Sequence, residues 1–167
     1  MCIRDSFRLG LARCAREDWK GGLEALAALA AAKPDFENLA EAELARGRAL
    51  SHLDRTREAQ SAFERTLALD KGVLAERAHL ELGRLHYAAQ AYEPALSEFL
   101  KVAVLYDLPE ETSEALLGAG RTLEAQGDSK RAVEQYRELV EKHAGSPAAA
   151  TAKRRLAELE PKERRGV

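Results

Sequence analysis

Three arginines, Arg48, Arg84 and Arg121, recur 36 and 37 residues apart. A guanidinium presents a rigid fork of donors that meets a carboxylate through two parallel hydrogen bonds. A row of them suits recognition of an acidic segment or a C-terminus rather than bond-breaking chemistry. Glu81 stands three residues before Arg84 and Glu124 three after Arg121, so pairing within the chain's own helix surfaces is the alternative. The residue types that carry reactions lack the spacing those reactions need. His52, His79, His86 and His143 form no HExxH or other ligand pattern, although His79 and His86 share a helix face. Cys2 and Cys14 fit neither a CxxC nor a Cys/His metal spacing and imply no disulfide framework. There is no glycine-rich phosphate loop after a strand, and no Ser or Cys nucleophile has a patterned base nearby. The expectation is a protein that is not an enzyme and has no metal and no cofactor. Acidic pairs such as Glu134 and Glu138, with Lys142 one turn further on, read as solvated helix face.

The elements that must position these residues are helices. The chain has 167 residues, enough for one domain or one repeat array. It is 46% hydrophobic and 32% charged but only 5% aromatic, and much of the apolar share is Ala and Leu. That balance favours helices packed closely through small side chains. The net charge of −2 argues against a general binder of nucleic acid or anionic membrane. No apolar run is long enough for a membrane span, and residues 1–20 carry too many charges for a signal peptide.

The helices recur with a period. Gly10, Gly47, Gly83 and Gly120 are 37, 36 and 37 residues apart. Twelve residues after each stands a small residue, Gly22, Ala59, Ala95 or Ala132, and four further on a large one, Leu26, Phe63, Phe99 or Tyr136. This reads as one helix pair per repeat: the glycine admits a close crossing, the small residue lies at the same crossing, and the large residue fills the space between one pair and the next. Tight turns fall at "REDW", "LDRT", "AQAY" and "QGDS", where Gly127 suits a left-handed helix end and Asp128 an N-cap. Pro34 with Asp35, Pro109, and Gly145-Ser146-Pro147 punctuate the connections between pairs. The expected array covers residues 7–160, with pairs at about 3–35, 36–71, 72–107 and 109–145 and a closing helix at about 147–160. The closing helix has Leu156 and Leu159 on one side and Lys153, Arg154 and Arg155 on its solvated side, followed by a basic, disordered tail at 161–167.

At these positions the chain resembles the tetratricopeptide repeat family. The fourth repeat matches through Leu116, Ala119, Gly120, Leu123, Gly127, Asp128, Ala132 and Tyr136, and the third through Leu82, Gly83, Tyr92, Ala95 and Phe99. The first matches through Leu9, Gly10, Trp19, Leu26 and Pro34, with Gly22 in place of alanine. The second keeps Gly47, Ala59 and Phe63 but has Arg46 at the leucine position. At the bulky position four before each ruler glycine stand Ser6, Glu43, His79 and Leu116. The connection in "EKHAGSPAAATAKRRL" is similar to repeats of bacterial cell-envelope proteins. The resemblance implies an all-α, right-handed superhelical solenoid of four helical hairpins plus a C-terminal capping helix. It also implies a scaffold for protein–protein interaction that holds a peptide or helix in its concave groove. Arg48, Arg84 and Arg121 then face the groove, with Tyr87 as an apolar contact, and Trp19 packs in the core of its own hairpin. The family's carboxylate-clamp pattern of Lys and Asn is not present. A spacer or self-association segment of a larger repeat protein is the alternative, as is a regulatory arm of an enzyme or transporter. The expected partner is a protein or peptide, with no nucleic acid.

The opening "MCIRDS" resembles a translated sequencing-adapter remnant. The expectation is an artefact over residues 1–6 at the head of an N-terminally truncated fragment, open to self-association through that end. On that reading bacterial cytoplasm and periplasm are both admissible compartments.

Overall fold

In the computed structural model residues 3–32, 36–106 and 108–159 are described. The Pro34–Asp35 punctuation and the 161–167 tail lie outside them. Among the described residues there are nine α-helices and no strand. They are α1 (Ile3–Ala15), α2 (Trp19–Ala32), α3 (Leu39–His52), α4 (Thr56–Leu69), α5 (Val73–Ala88), α6 (Tyr92–Leu105), α7 (Pro109–Ala125), α8 (Ser129–Lys142) and α9 (Pro147–Leu159). None is long and apolar enough to cross a membrane.

The four tight turns share one backbone device. Each has a left-handed residue at its second position: Glu17 at φ 63°, Asp54 at 58°, Gln90 at 58° and Gly127 at 82°. The left-handed residue ends one helix and lets the chain reverse within three residues. Glycine accepts that conformation without strain; the other three carry a Cβ penalty. The following helices are capped unequally. Asp128 accepts a hydrogen bond from the Arg131 amide at 3.1 Å, and Asp18 from the Gly21 amide at 3.0 Å. Arg55 and Ala91 hold the equivalent place without a side-chain cap. Asp70 caps α5, accepting from the amides of Gly72, Leu74 and Ala75. Ser146 caps α9 through the Ala149 amide, one residue before Pro147.

The chain divides into two compact units at Leu85–His86. In the first, α1 packs on α2, α2 on α3, and α3 on α4. Leu44, Leu50, Ala59, Ala62, Phe63, Ala78 and Leu82 form its main core. Phe7, Leu26, Leu29 and Ala42 form another, where Phe7 meets Phe36 edge-to-face at 5.4 Å. In the second unit α6 packs on α7, α7 on α8, and α9 covers both α7 and α8.

The repeated small residues sit where side chains would collide. A Cβ built on Gly10 would stand 2.7 Å from Leu26 Cγ, and one on Gly120 would stand 2.7 Å from Tyr136 Cδ1. On Gly47 it would overlap the Phe63 ring, and on Gly22 it would come within 3.2 Å of the Gly10 carbonyl oxygen. Gly83 is buried in α5, and Ala59, Ala95 and Ala132 are fully buried. The periodicity predicts that the large residue fills the space between pairs. Leu26 and Phe63 do so: Leu26 shares a core with Ala42 of the next pair, and Phe63 with Ala78 and Leu82 of the next. Leu26, Phe63 and Tyr136 also lie over the glycine of their own pair, where the missing Cβ leaves room for a ring or isobutyl group. Phe99 reaches the following helix: a Cβ on Gly118 of α7 would lie 2.7 Å from its ring.

Candidate functional site

In the first unit α1, α3 and α5, the first helices of successive pairs, line a cleft of about 300 Å³. Its apolar surface comes from Leu11 of α1, Leu44 and Ala45 of α3, and Leu74 of α5, with Trp19 at the start of α2. Its charged groups are Glu41, Arg48 and Arg77. Leu11 and Arg48 each follow a ruler glycine by one residue, and as equivalent positions of successive repeats they line this face together. Cys14 also lines the cleft, half-buried; burial, and then the charge of Asp18, raise its thiol pKa.

The arginines are placed differently from one another. Arg48 Nε donates to Glu81 Oε1 at 2.8 Å, and Arg84 donates to the same oxygen at 3.3 Å. Two guanidiniums from α3 and α5 therefore converge on one carboxylate that is largely shielded from solvent. The expected Glu81–Arg84 pair is present, but the shorter bond to Glu81 comes from another helix. In the second unit Arg121 is exposed on α7. Glu124 accepts instead from the Tyr136 hydroxyl and from Arg155 of α9. Arg155, expected on a solvated face, is thus the fastening of α9. Tyr87 is 38% exposed, its ring tilted against Tyr92 at 5.9 Å.

Trp19 is not a core residue. It is half-buried, and its indole stacks on the exposed imidazole of His52, the last residue of α3, with centroids 3.9 Å apart and planes within 5°. The two residues are far apart in sequence, and nothing in their local patterns announces the contact. The pairing of Glu43 with Arg46 and Arg65 was likewise missed, although its two departures from the repeat pattern were in view. Glu43 is fully buried; Arg46 donates to both its oxygens at 3.0 and 2.8 Å, and Arg65 stands at 3.3 Å. Among the described residues no group of three or more His, Cys, Asp or Glu is placed to hold a metal ion.

Paired helices with a glycine crossing, a left-handed turn and a cleft on the first-helix face define an α-helical repeat protein. The family model described as Tetratricopeptide repeat matches residues 44–111 and 117–161, and the chain belongs to that family. Solved structures agree on the fold, the all-α tetratricopeptide-like solenoid. The chain is similar to a tetratricopeptide repeat protein from Parabacteroides merdae, with a TM-score of 0.78 and 15% identity over 94% of this chain and 59% of that one. It is also similar to PilW, a widely conserved type IV pilus biogenesis factor, with a TM-score of 0.75 and 20% identity over 89% and 66% of the two chains. MamA follows with a TM-score of 0.71 and 17% identity over 90% and 87%. The chain thus spans less than two thirds of the length of the first two. No curated protein matches it. Tetratricopeptide repeat proteins generally mediate protein–protein interactions and are typically non-catalytic scaffolds.

Proposed function

We propose that the chain is a protein-interaction scaffold whose first unit holds a peptide or helix of a partner in the α1–α3–α5 cleft. The observation that carries this reading is the lining: leucine side chains and the Trp19 ring beside Arg48, whose guanidinium is half-exposed. A partner's apolar side chains bury on Leu11, Leu44 and Leu74, and its carboxylate takes Arg48. Glu81 then keeps Arg84, so no buried acid is stranded. Arg121 and Tyr87 are the corresponding exposed candidates of the second unit.

Displayed random peptides selected on the intact chain, then titrated by calorimetry, test this. Ala45→Phe, which fills the cleft, and Arg48→Glu, which reverses its charge, should each weaken the selected peptides by at least about tenfold, or about 1.4 kcal/mol. Helical circular dichroism should not change. Full affinity in both variants would refute the reading.

A further inference from the structure

A second cleft of the first unit, about 390 Å³, lies over α3 between α2 and α4. It is separate from the α1–α3–α5 cleft and shares none of its lining residues. Leu23, Ala27 and Leu50 give it an apolar floor, and Arg46, Arg55 and Arg65 give it charge. Beneath it lies the buried carboxylate of Glu43, held by Arg46 and Arg65; Arg55 is paired with exposed Glu58 at 2.7 Å. Glu43 and Arg46 are the two places where the second repeat departs from the bulky-residue and leucine pattern, and three residues apart on one helix they form a single unit. A buried ion pair of this kind is often no more stable than apolar residues of the same volume, so stability alone does not account for it. Its effect is to fix a guanidinium at the cleft wall with little freedom left to lose on binding. Three guanidiniums face two carboxylates, leaving an excess positive charge. The N-terminus of α4 adds to it, since its N-cap Arg55 makes no side-chain bond to the first-turn amides.

We propose that this cleft binds a small organic carboxylate with an apolar body. The carboxylate sits on Arg46 and Arg65, and the hydrocarbon lies over Leu23, Ala27 and Leu50. The volume falls at the lower end of the range of small-molecule sites. Hexanoate is the probe, titrated into the intact chain and followed by amide chemical shifts, with acetate, hexanol and hexylammonium alongside. Hexanoate should give saturable shifts at Leu23, Ala27, Arg55 and Glu58. The other three should bind at least about tenfold more weakly, each lacking one recognised half. Arg65→Gln should weaken hexanoate by about tenfold. The double variant Glu43→Leu/Arg46→Leu restores an apolar pattern and should fold with equal or greater thermal stability yet lose the shifts. The proposal is overturned by hexanoate shifts that do not saturate or that map to the α1–α3–α5 cleft. Equal binding of hexanol or acetate, or undiminished binding by the folded double variant, overturns it too.

Discussion

Gln90 occupies a left-handed turn position where Gly127 serves the equivalent turn. Left-handed backbone costs a residue with a Cβ about 1–2 kcal/mol, and glycine returns about 0.5–1 kcal/mol of that as unfolded-chain entropy. Gln90→Gly should therefore raise stability by about 0.5–1 kcal/mol in urea unfolding, and a loss would show that the turn is not strained. The packing glycines respond in the opposite sense. Gly47→Ala drives a methyl group into the Phe63 ring and should cost about 1–3 kcal/mol. Gly145→Ala, where nothing lies within 4 Å of a Cβ, should be near neutral. The crossing glycines were legible because an absent side chain, repeated at a fixed interval, has one simple meaning. The strained turns were not, because Glu17, Asp54 and Gln90 carry no sign of φ. Glu43 and Arg46 each looked like a lapse from the pattern when read singly; the buried bond between them explains both.

Helix ends were legible where the residues have distinctive backbone needs, as at Gly127 and Asp128 before α8 and at Ser146 and Pro147 before α9. α8 starts after the capping Asp128, whereas α6 starts after Ala91, which offers its first-turn amides nothing. Ala91→Asp should add about 1 kcal/mol in thermal unfolding, and Asp128→Ala should remove about as much. The fastening of α9 was not legible, because Arg155 stands in a run of charges beside Lys153 and Arg154 and its partner is 31 residues away. Arg155, through its hydrogen bond, is the main cause that holds the Glu124 carboxyl below the usual value of 4.5. Burial, followed by the bond to Glu124, raises the Tyr136 hydroxyl. A carboxyl lowered on folding stabilises the native state above its unfolded pKa, and that contribution is lost as pH falls through the folded value. Acidification below about pH 4.5 should therefore loosen α9, and Glu124→Gln should make stability less dependent on pH there. An unaltered acid profile in Glu124→Gln would contradict this role. Deletion after Gly145 removes the helix whose Ala148, Ala149 and Ala152 are buried, so it should lower the melting temperature and promote association seen by light scattering.

For the molecule as a whole, composition and period together indicated the family, because a stacked repeat writes the same packing problem into the sequence four times. A binding site writes itself once. The row of arginines marked a cleft residue at Arg48 but not the bond to Glu81, which joins positions 33 apart on different helices. The proposed binding of a partner segment in the α1–α3–α5 cleft of the first unit has a reporter within the cleft. Trp19 is the single tryptophan of the chain, and it lines that cleft while stacked on His52. Its emission is the most direct measurement, recorded while a peptide selected on the intact chain is titrated in and repeated with Ala45→Phe. Filling of the cleft should give a saturable change in Trp19 emission that follows the calorimetric binding curve and disappears in Ala45→Phe. A peptide that binds fully while leaving Trp19 emission unchanged, and that binds Ala45→Phe equally well, would contradict it.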